Sequence, residues 1–375
     1  MKNVKKPCVI ISSYDDVKNP YYAGGGAIAI HEVARRLTDK YVITVITGKY
    51  PKAINKTIDG VRYERVGLTH GGPFIGQVFF SLALPFQVMT RSFDVWLESF
   101  TPPFSTNCLQ LFTRKPVIGL VHMLSGEDMR RKYKLPFDKI EYIGLQTYRQ
   151  AIVLSETVKK KLTIMNPKLT VTVIPNGVDT VALRTKNLHN KKNKKYLLCI
   201  GRIEINQKGL DLLLNAYKTF SNKENYPLLI AGSGTIEERK KLQKLIVQLS
   251  LSKHVKLLGK ASGKKKEKLY QEATCVIVPS RFETFSLTAL EAMAHAKPLI
   301  TFNLSGLVWI PSQCRITVKT ISANQLAKAI DRLVSDQELQ KSIGMIAFQF
   351  SKSFSWDSIA GKYDEVIQSR ISGQV

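Results

Sequence analysis

Acidic residues are scarce in this chain of 375: 29 Asp and Glu stand against 56 Lys and Arg, a formal net charge of +27. That imbalance calls for an anionic partner, whether nucleic acid, an acidic membrane surface or a phosphorylated small molecule. Cysteine is sparse as well. The five (Cys8, Cys108, Cys199, Cys275, Cys314) are scattered, and none forms a CxxC pair. Odd number, wide spacing and apolar neighbours favour buried free thiols in a reducing compartment. Long hydrophobic runs are missing too. The most apolar stretch, "FIGQVFFSLALPFQVM" at 74–89, falls short of the roughly 20 residues that span a bilayer and contains Pro85. The N-terminal apolar run is short and passes straight into a strand-like pattern, so no signal peptide is expected. No low-complexity tract or short-period repeat is present.

What the chain does have is length for two domains and 44% hydrophobic residues to fill them. Short apolar runs alternate with helical patterns almost throughout, the mark of a parallel sheet covered on both faces. Strands are expected at 8–12, 41–47, 94–99, 117–122, 151–155 and 171–175, with helices at 26–38, 74–90, 136–150 and 156–165. The basic stretch "RTKNLHNKKNKK" at 184–195 lacks apolar periodicity and reads as a linker. The rhythm then restarts, with strands at 196–202, 227–232, 255–259, 274–280, 298–303 and 315–319. Helices are expected between and after these strands, and a last one, 356–370, would pack back across the linker. The expected organisation is a first domain at 1–183, the linker, a second domain at 196–355 and a C-terminal helix at 356–375. Each domain is α/β and doubly wound.

Three places carry chemistry. Gly24, Gly25 and Gly26 follow the first strand and open a helix, which reads either as a ligand loop or as a plain tight turn. In "GRIEINQKGLDLLLNAY", Arg202 closes a strand and Lys208 precedes a helix. Two cations beside a helix N-terminus suit a diphosphate, although a chain this basic also carries many solvated cations. Finally, "PSRFETFSLTALEAMAHAKPLI" places Glu283 in a loop and Glu291 inside the following helix, with Ser286 as the N-cap. First-turn N–H groups there would face phosphate oxygens, and the two carboxylates would accept hydroxyls on either side of it. A sugar nucleotide has that layout.

"ETFSLTALEAMA" resembles the E-x7-E signature of retaining glycosyltransferases with the GT-B fold, glycosyltransferase family four in particular. Supporting resemblances run in order along the chain: the glycines at 24–26, "GLVHM" with His122, "VIPNGVD" at 173–179, "GRIEINQKG" and "IAGSG" at 230–234. The resemblance implies two Rossmann-like domains facing each other across a cleft and transfer of a sugar from a nucleotide-diphosphate sugar. It implies no metal and no cofactor beyond that donor. By position, Arg202 and Lys208 would hold the diphosphate, Glu283 the donor-sugar hydroxyls and Glu291 the ribose hydroxyls. Phe285, Ser286 and Leu287 would offer backbone contacts, and Gly25 and Gly26 would close on the diphosphate. His122 matches a histidine that touches the donor sugar, set against the plainer role of a hydrogen-bonded strand-end histidine. The sequence also departs from the family: Ser286 and Ala296 stand where glycine is usual, and "NLSGLVWIPSQ" lacks the usual second glycine and the acidic residue.

Rival readings are a GT-B-fold nucleotide-sugar epimerase or phosphorylase, and a basic nucleic-acid-binding protein. The last lacks an aromatic-interleaved basic stripe and any known motif, so no nucleic-acid partner is expected. The apolar segment 74–89 lies in the same domain as "MRRKYK" and "VKKKLT". That pairing of signals predicts a protein peripheral to an anionic membrane surface on its cytoplasmic side, acting on a lipid-linked or envelope glycan acceptor, unless 74–89 is simply a core helix.

Overall fold

The computed structural model describes residues 6–19, 24–69, 72–101, 104–179 and 195–373. Most of the expected linker lies outside the described residues. Two compact units emerge, one built from 1–177 with 356–375 and the other from 178–355.

The first unit is an eight-stranded sheet of β1 (Cys8–Ser12), β2 (Val42–Gly48), β3 (Lys56–Ile58), β4 (Val61–Val66), β5 (Val95–Ser99), β6 (Val117–Val121), β7 (Gln150–Val153) and β8 (Thr170–Val173). Their order is β3-β4-β2-β1-β5-β6-β7-β8, parallel except where β3 meets β4. The helices are α1 (Gly25–Leu37), α2 (Gly72–Thr90), α3 (Gly126–Tyr133), α4 (Phe137–Leu145) and α5 (Glu156–Met165). The central strands read as unbroken apolar runs because helices cover both faces; Val9, Val95, Trp96, Ile118 and Ile152 are at most 1% exposed.

Two elements were not expected from the sequence. The β3–β4 hairpin turns at Asp59-Gly60, both at positive φ (50° and 78°), as a two-residue hairpin turn of the mirror-image type requires. Helix α3, "GEDMRRKY", has almost no apolar residues to set a period. The helix expected at 136–150 ends at Leu145, where a turn leads into β7.

The second unit is a six-stranded parallel sheet of β9 (Leu197–Ile200), β10 (Leu228–Ala231), β11 (Val255–Leu257), β12 (Cys275–Val278), β13 (Leu299–Phe302) and β14 (Ile316–Val318). The strand order is β11-β10-β9-β12-β13-β14. Its helices are α6 (Leu210–Thr219), α7 (Ile236–Gln248), α8 (Gly263–Glu272), α9 (Leu287–Ala294), α10 (Ala323–Ser335) and α11 (Gln337–Ser351). The chain builds outward from β9 to β11, then returns to lay β12 on the other side of β9. The crevice beyond the carboxyl ends of β9 and β12 is therefore the point where such a sheet binds ligands. The last helix, α12 (Trp356–Ile371), belongs to the first unit. Arg36 of α1 donates to Asp357 at 2.6 Å, and the Tyr41 hydroxyl donates to Asp364 at 2.6 Å.

The cysteines are free. Cys199, Cys275 and Cys314 are buried, and burial pushes the Cys199 and Cys275 thiols up to about 12.

Candidate active site

In the second unit the β9 turn delivers Arg202 and Lys208, and the β12 turn delivers Ser280 and Glu283. All four line one pocket with Gly201 and Thr288. Local chemistry fixes each turn. Gly209 caps α6 at φ +62; a β-carbon there would lie 1.9 Å from the Pro279 carbonyl oxygen, so only glycine lets the two turns touch. Arg281 then bolts them together. Its guanidinium makes a two-pronged pair with Asp211 (2.7 Å each) and donates to the Asn206 carbonyl at 2.8 Å, and its N–H meets the Gln207 carbonyl. The hydrogen bonds to the Asp211 carboxylate, and its charge, hold the Arg281 pKa above its ordinary value.

Lys208 Nζ donates to Glu283 Oε1 at 2.7 Å, and Ser280 Oγ donates to the same oxygen at 2.7 Å. The Glu283 side chain is 9% exposed, so this ion pair sits away from bulk water, where screening is weak. Arg202 donates to the Gln207 side chain at 2.8 Å, leaving a guanidinium near the pocket with no carboxylate partner among the described hydrogen bonds. Thr288, in the first turn of α9, donates to the Ile200 carbonyl at 3.2 Å and so tethers that helix start to the end of β9.

Helix α9 begins as the sequence predicts. Ser286 is its N-cap, and Oγ accepts from the Ala289 N–H at 3.3 Å. The remaining first-turn N–H groups have no partner within the helix and carry its positive dipole end. Of the start of α9, Thr288 lines the pocket with Arg202 and Lys208, whereas Phe285, Ser286 and Leu287 are not among its lining residues. Ser286 adopts φ +67 and Ala296, just past the end of α9, φ +52. Both are left-handed conformations, which explains why glycine is usual at these two positions in the family that the sequence resembles.

Glu291 lies on α9 and is held by α8. Its Oε1 takes a hydrogen bond from Lys266 Nζ, and its Oε2 takes one from the Tyr270 hydroxyl at 2.8 Å. Tyr270 is buried and stacks on His295, with centroids 5.0 Å apart. Burial, reinforced by the Glu291 carboxylate, pushes its hydroxyl well above the usual range. Sequence reasoning missed Lys266 and Tyr270. Their only signal was the periodicity of α8, which says which way they face but not which carboxylate they reach.

In the first unit, His122 follows β6 and meets the start of α1. A β-carbon on Gly26 would sit 3.5 Å from His122 Cδ2. Gly24 caps that helix without a side-chain hydrogen bond, and Gly25 and Gly26 form its first turn. Both His122 ring nitrogens are buried with no hydrogen-bond partner among the described residues. Burial lowers its pKa to about 4, so the ring is neutral near pH 7. Among the described residues, no group of three His, Cys, Asp or Glu is arranged to hold a metal ion.

Two doubly wound domains with this connectivity define the GT-B class of glycosyltransferases, and solved structures of that class match the chain nearly end to end. Sucrose-phosphate synthase from Thermosynechococcus elongatus superposes with a TM-score of 0.82 at 21% identity, covering 99% of this chain and 100% of that one. Anabaena HepE, solved with UDP and glucose, gives 0.75 at 15% identity over 97% of this chain and 100% of its own. In sequence, residues 182–350 match the glycosyl transferases group 1 family and 23–181 match glycosyltransferase family 4. An uncharacterised glycosyltransferase of Methanocaldococcus jannaschii is 31% identical over 372 residues, 91% of this chain and 93% of the relative. The chain belongs to the group 1 glycosyltransferases, family four.

Proposed function

We propose that the protein is a retaining glycosyltransferase that moves a sugar from a nucleotide-diphosphate sugar to an acceptor hydroxyl. The observation that carries this reading is the set of charges at the β9/β12 crevice. Arg202, Lys208 and the N-terminal end of α9 converge beside Glu283, the arrangement that a diphosphate flanked by sugar hydroxyls requires. Arg202 and Lys208 hold the diphosphate and offset the charge that grows on it as the glycosidic bond breaks. Glu283 accepts donor-sugar hydroxyls and Glu291 ribose hydroxyls, while the Phe285–Leu287 backbone donates to phosphate. From the first unit, Gly25 and Gly26 are assigned to the diphosphate and neutral His122 to a sugar hydroxyl.

The leaving phosphate takes the acceptor proton on the face from which it departs. The new bond forms on that face, and the anomeric configuration is kept. Cationic side chains and the helix end stand in for a metal. The test is the product: sugar transferred to an acceptor with unchanged anomeric configuration by NMR supports the reading. Inverted product, isomerised donor or released sugar phosphate refutes it.

We further propose that the acceptor is a lipid-linked or envelope glycan precursor met at the cytoplasmic face of an anionic membrane. Helix α2 supports this. Phe80, Leu84 and Val88 face the core, while Ile75, Phe79, Leu82, Phe86 and Met89 are 41–68% exposed along the opposite side. No charged residue interrupts its 19 residues. No helix among the described residues is long and apolar enough to cross a membrane. An apolar stripe on a strongly basic protein is the two-part signal for surface docking. Sedimentation with acidic liposomes at low salt, weakened by Leu82→Ser with Phe86→Ser, is the expected result. No binding to acidic or neutral vesicles at any salt points to an acceptor in solution.

A further inference from the structure

Trp309 lies in the segment where the family signature fails, and nothing in the chemistry above uses it. Its indole stacks face to face on Phe285, with ring centroids 4.3 Å apart and planes 5° from parallel, and Nε1–H donates to the Phe285 carbonyl at 2.8 Å. Phe354 backs the indole at 5.2 Å. The next residue after Phe285 is Ser286, a non-glycine residue at φ +67. Left-handed backbone of this kind persists only where its surroundings over-determine it. A third contact completes the enclosure: Gly306 passes so close beneath the loop that a β-carbon would lie 1.8 Å from the Glu283 carbonyl oxygen.

We infer that Trp309 is a positioning residue that clamps the 283–287 loop in its phosphate-binding conformation, an inference that rests on the donor role proposed for that loop. The geometry of a trans peptide gives the mechanism, since its C=O and N–H point in opposite directions. By gripping the Phe285 carbonyl, the indole aims the Ser286 N–H away from itself and fixes the peptide plane that opens α9. The stack holds the Phe285 side chain in the domain interior, where it is 1% exposed, so the peptide cannot roll. Glycine at 286 would tolerate left-handed backbone without such help. The chain instead carries serine at 286 together with a tryptophan clamp.

The clamp predicts that residues 286 and 309 are coupled, whereas simple core packing by Trp309 predicts that they are independent. The experiment is a cycle of four full-length proteins: wild type, Trp309→Phe, Ser286→Gly and the double variant. Trp309→Phe keeps a ring to stack but loses the donor, and should lower Tm by about 2–4 °C. Ser286→Gly costs little as a cap and should recover at least half of that loss in the Trp309→Phe background, while changing the wild type much less. Titration of the four proteins with UDP, ADP and GDP supplies a second readout: about tenfold weaker binding of the preferred nucleotide in Trp309→Phe, with partial rescue in the double variant. Additive effects on Tm, with no rescue, overturn the clamp. A wild-type protein that binds none of the three nucleotides overturns the donor role of the loop, and the Tm cycle still decides whether the clamp exists.

Discussion

In the C-terminal domain each carboxylate of the signature pair sits on a lysine, Glu283 on Lys208 and Glu291 on Lys266, with a hydroxyl from Ser280 or Tyr270 completing the set. In the N-terminal domain His122 is buried against Gly26, and neither of its ring nitrogens has a partner among the described residues. One domain satisfies its functional groups internally. The other buries a polar ring and leaves it unmet, at a cost of about 1–3 kcal/mol for an orphaned group of this kind. The difference teaches what each half does. Hydrogen bonds from a lysine and a hydroxyl hold each carboxylate of the pair in a fixed position. The neutral ring keeps one N–H donor and one acceptor nitrogen.

The comparison breaks most visibly if the cations are removed. Arg202→Ala or Lys208→Ala should each lower kcat/KM by tenfold to hundredfold, since charge-assisted contacts contribute roughly 1.5–3 kcal/mol. Lys208→Ala also strips Glu283 of its cationic partner and leaves it only Ser280, so it should be the worse of the two. Steady-state rates for both variants check this, with Tm measured alongside to show that the fold survives.

A smaller effect divides the two glutamates. Glu283→Gln should depress transfer while nucleoside diphosphate still binds, whereas Glu291→Ala should weaken nucleotide binding itself by about tenfold. Calorimetric titration of both variants distinguishes these roles; the opposite pattern would exchange them.

His122 sharpens the comparison through pH. Its folded value of about 4 lies below the 6.5 of an exposed histidine. Between those values the unfolded chain takes up a proton that the folded domain refuses. Its contribution to stability is therefore complete above pH 6.5 and declines as pH falls toward 4. Urea melts at pH 7 and pH 5 should show a smaller acid-side loss for His122→Phe than for wild type. The smallest effect belongs to Ala296→Gly, which releases a left-handed alanine at φ +52 and should raise stability by no more than about 1 kcal/mol.

Much of this was legible in the sequence because parallel strands announce themselves as short apolar runs. All six strands of the C-terminal sheet fall where periodicity put them. The β3–β4 hairpin was missed although "DG" between strand-like residues is a strong turn signal; its charged, alternating strands hid it. Helix α3 was missed because its residues are almost all polar. At the site, spacing brought out Arg202, Lys208, Glu283 and Glu291, since each sits at the end of a recognisable strand or on a capped helix. Lys266 and Tyr270 reach Glu291, Arg281 reaches Asp211, and Trp309 reaches Phe285, through contacts that only the packed structure specifies. The departures at Ser286 and Ala296 were visible as letters, but their cost became clear only with the backbone angles.

The central claim is that the β9/β12 crevice of the C-terminal domain binds a sugar nucleotide through Arg202 and Lys208. A thermal-shift panel of UDP-, GDP- and ADP-sugars, run on wild type and on the Arg202→Ala, Lys208→Ala double variant, tests it most directly. A ligand at a hundredfold excess over its Kd adds about 2.7 kcal/mol to the native state. The account predicts a clear rise in Tm with at least one sugar nucleotide in wild type and none in the double variant. No rise with any of them, or an equal rise in both proteins, would contradict it.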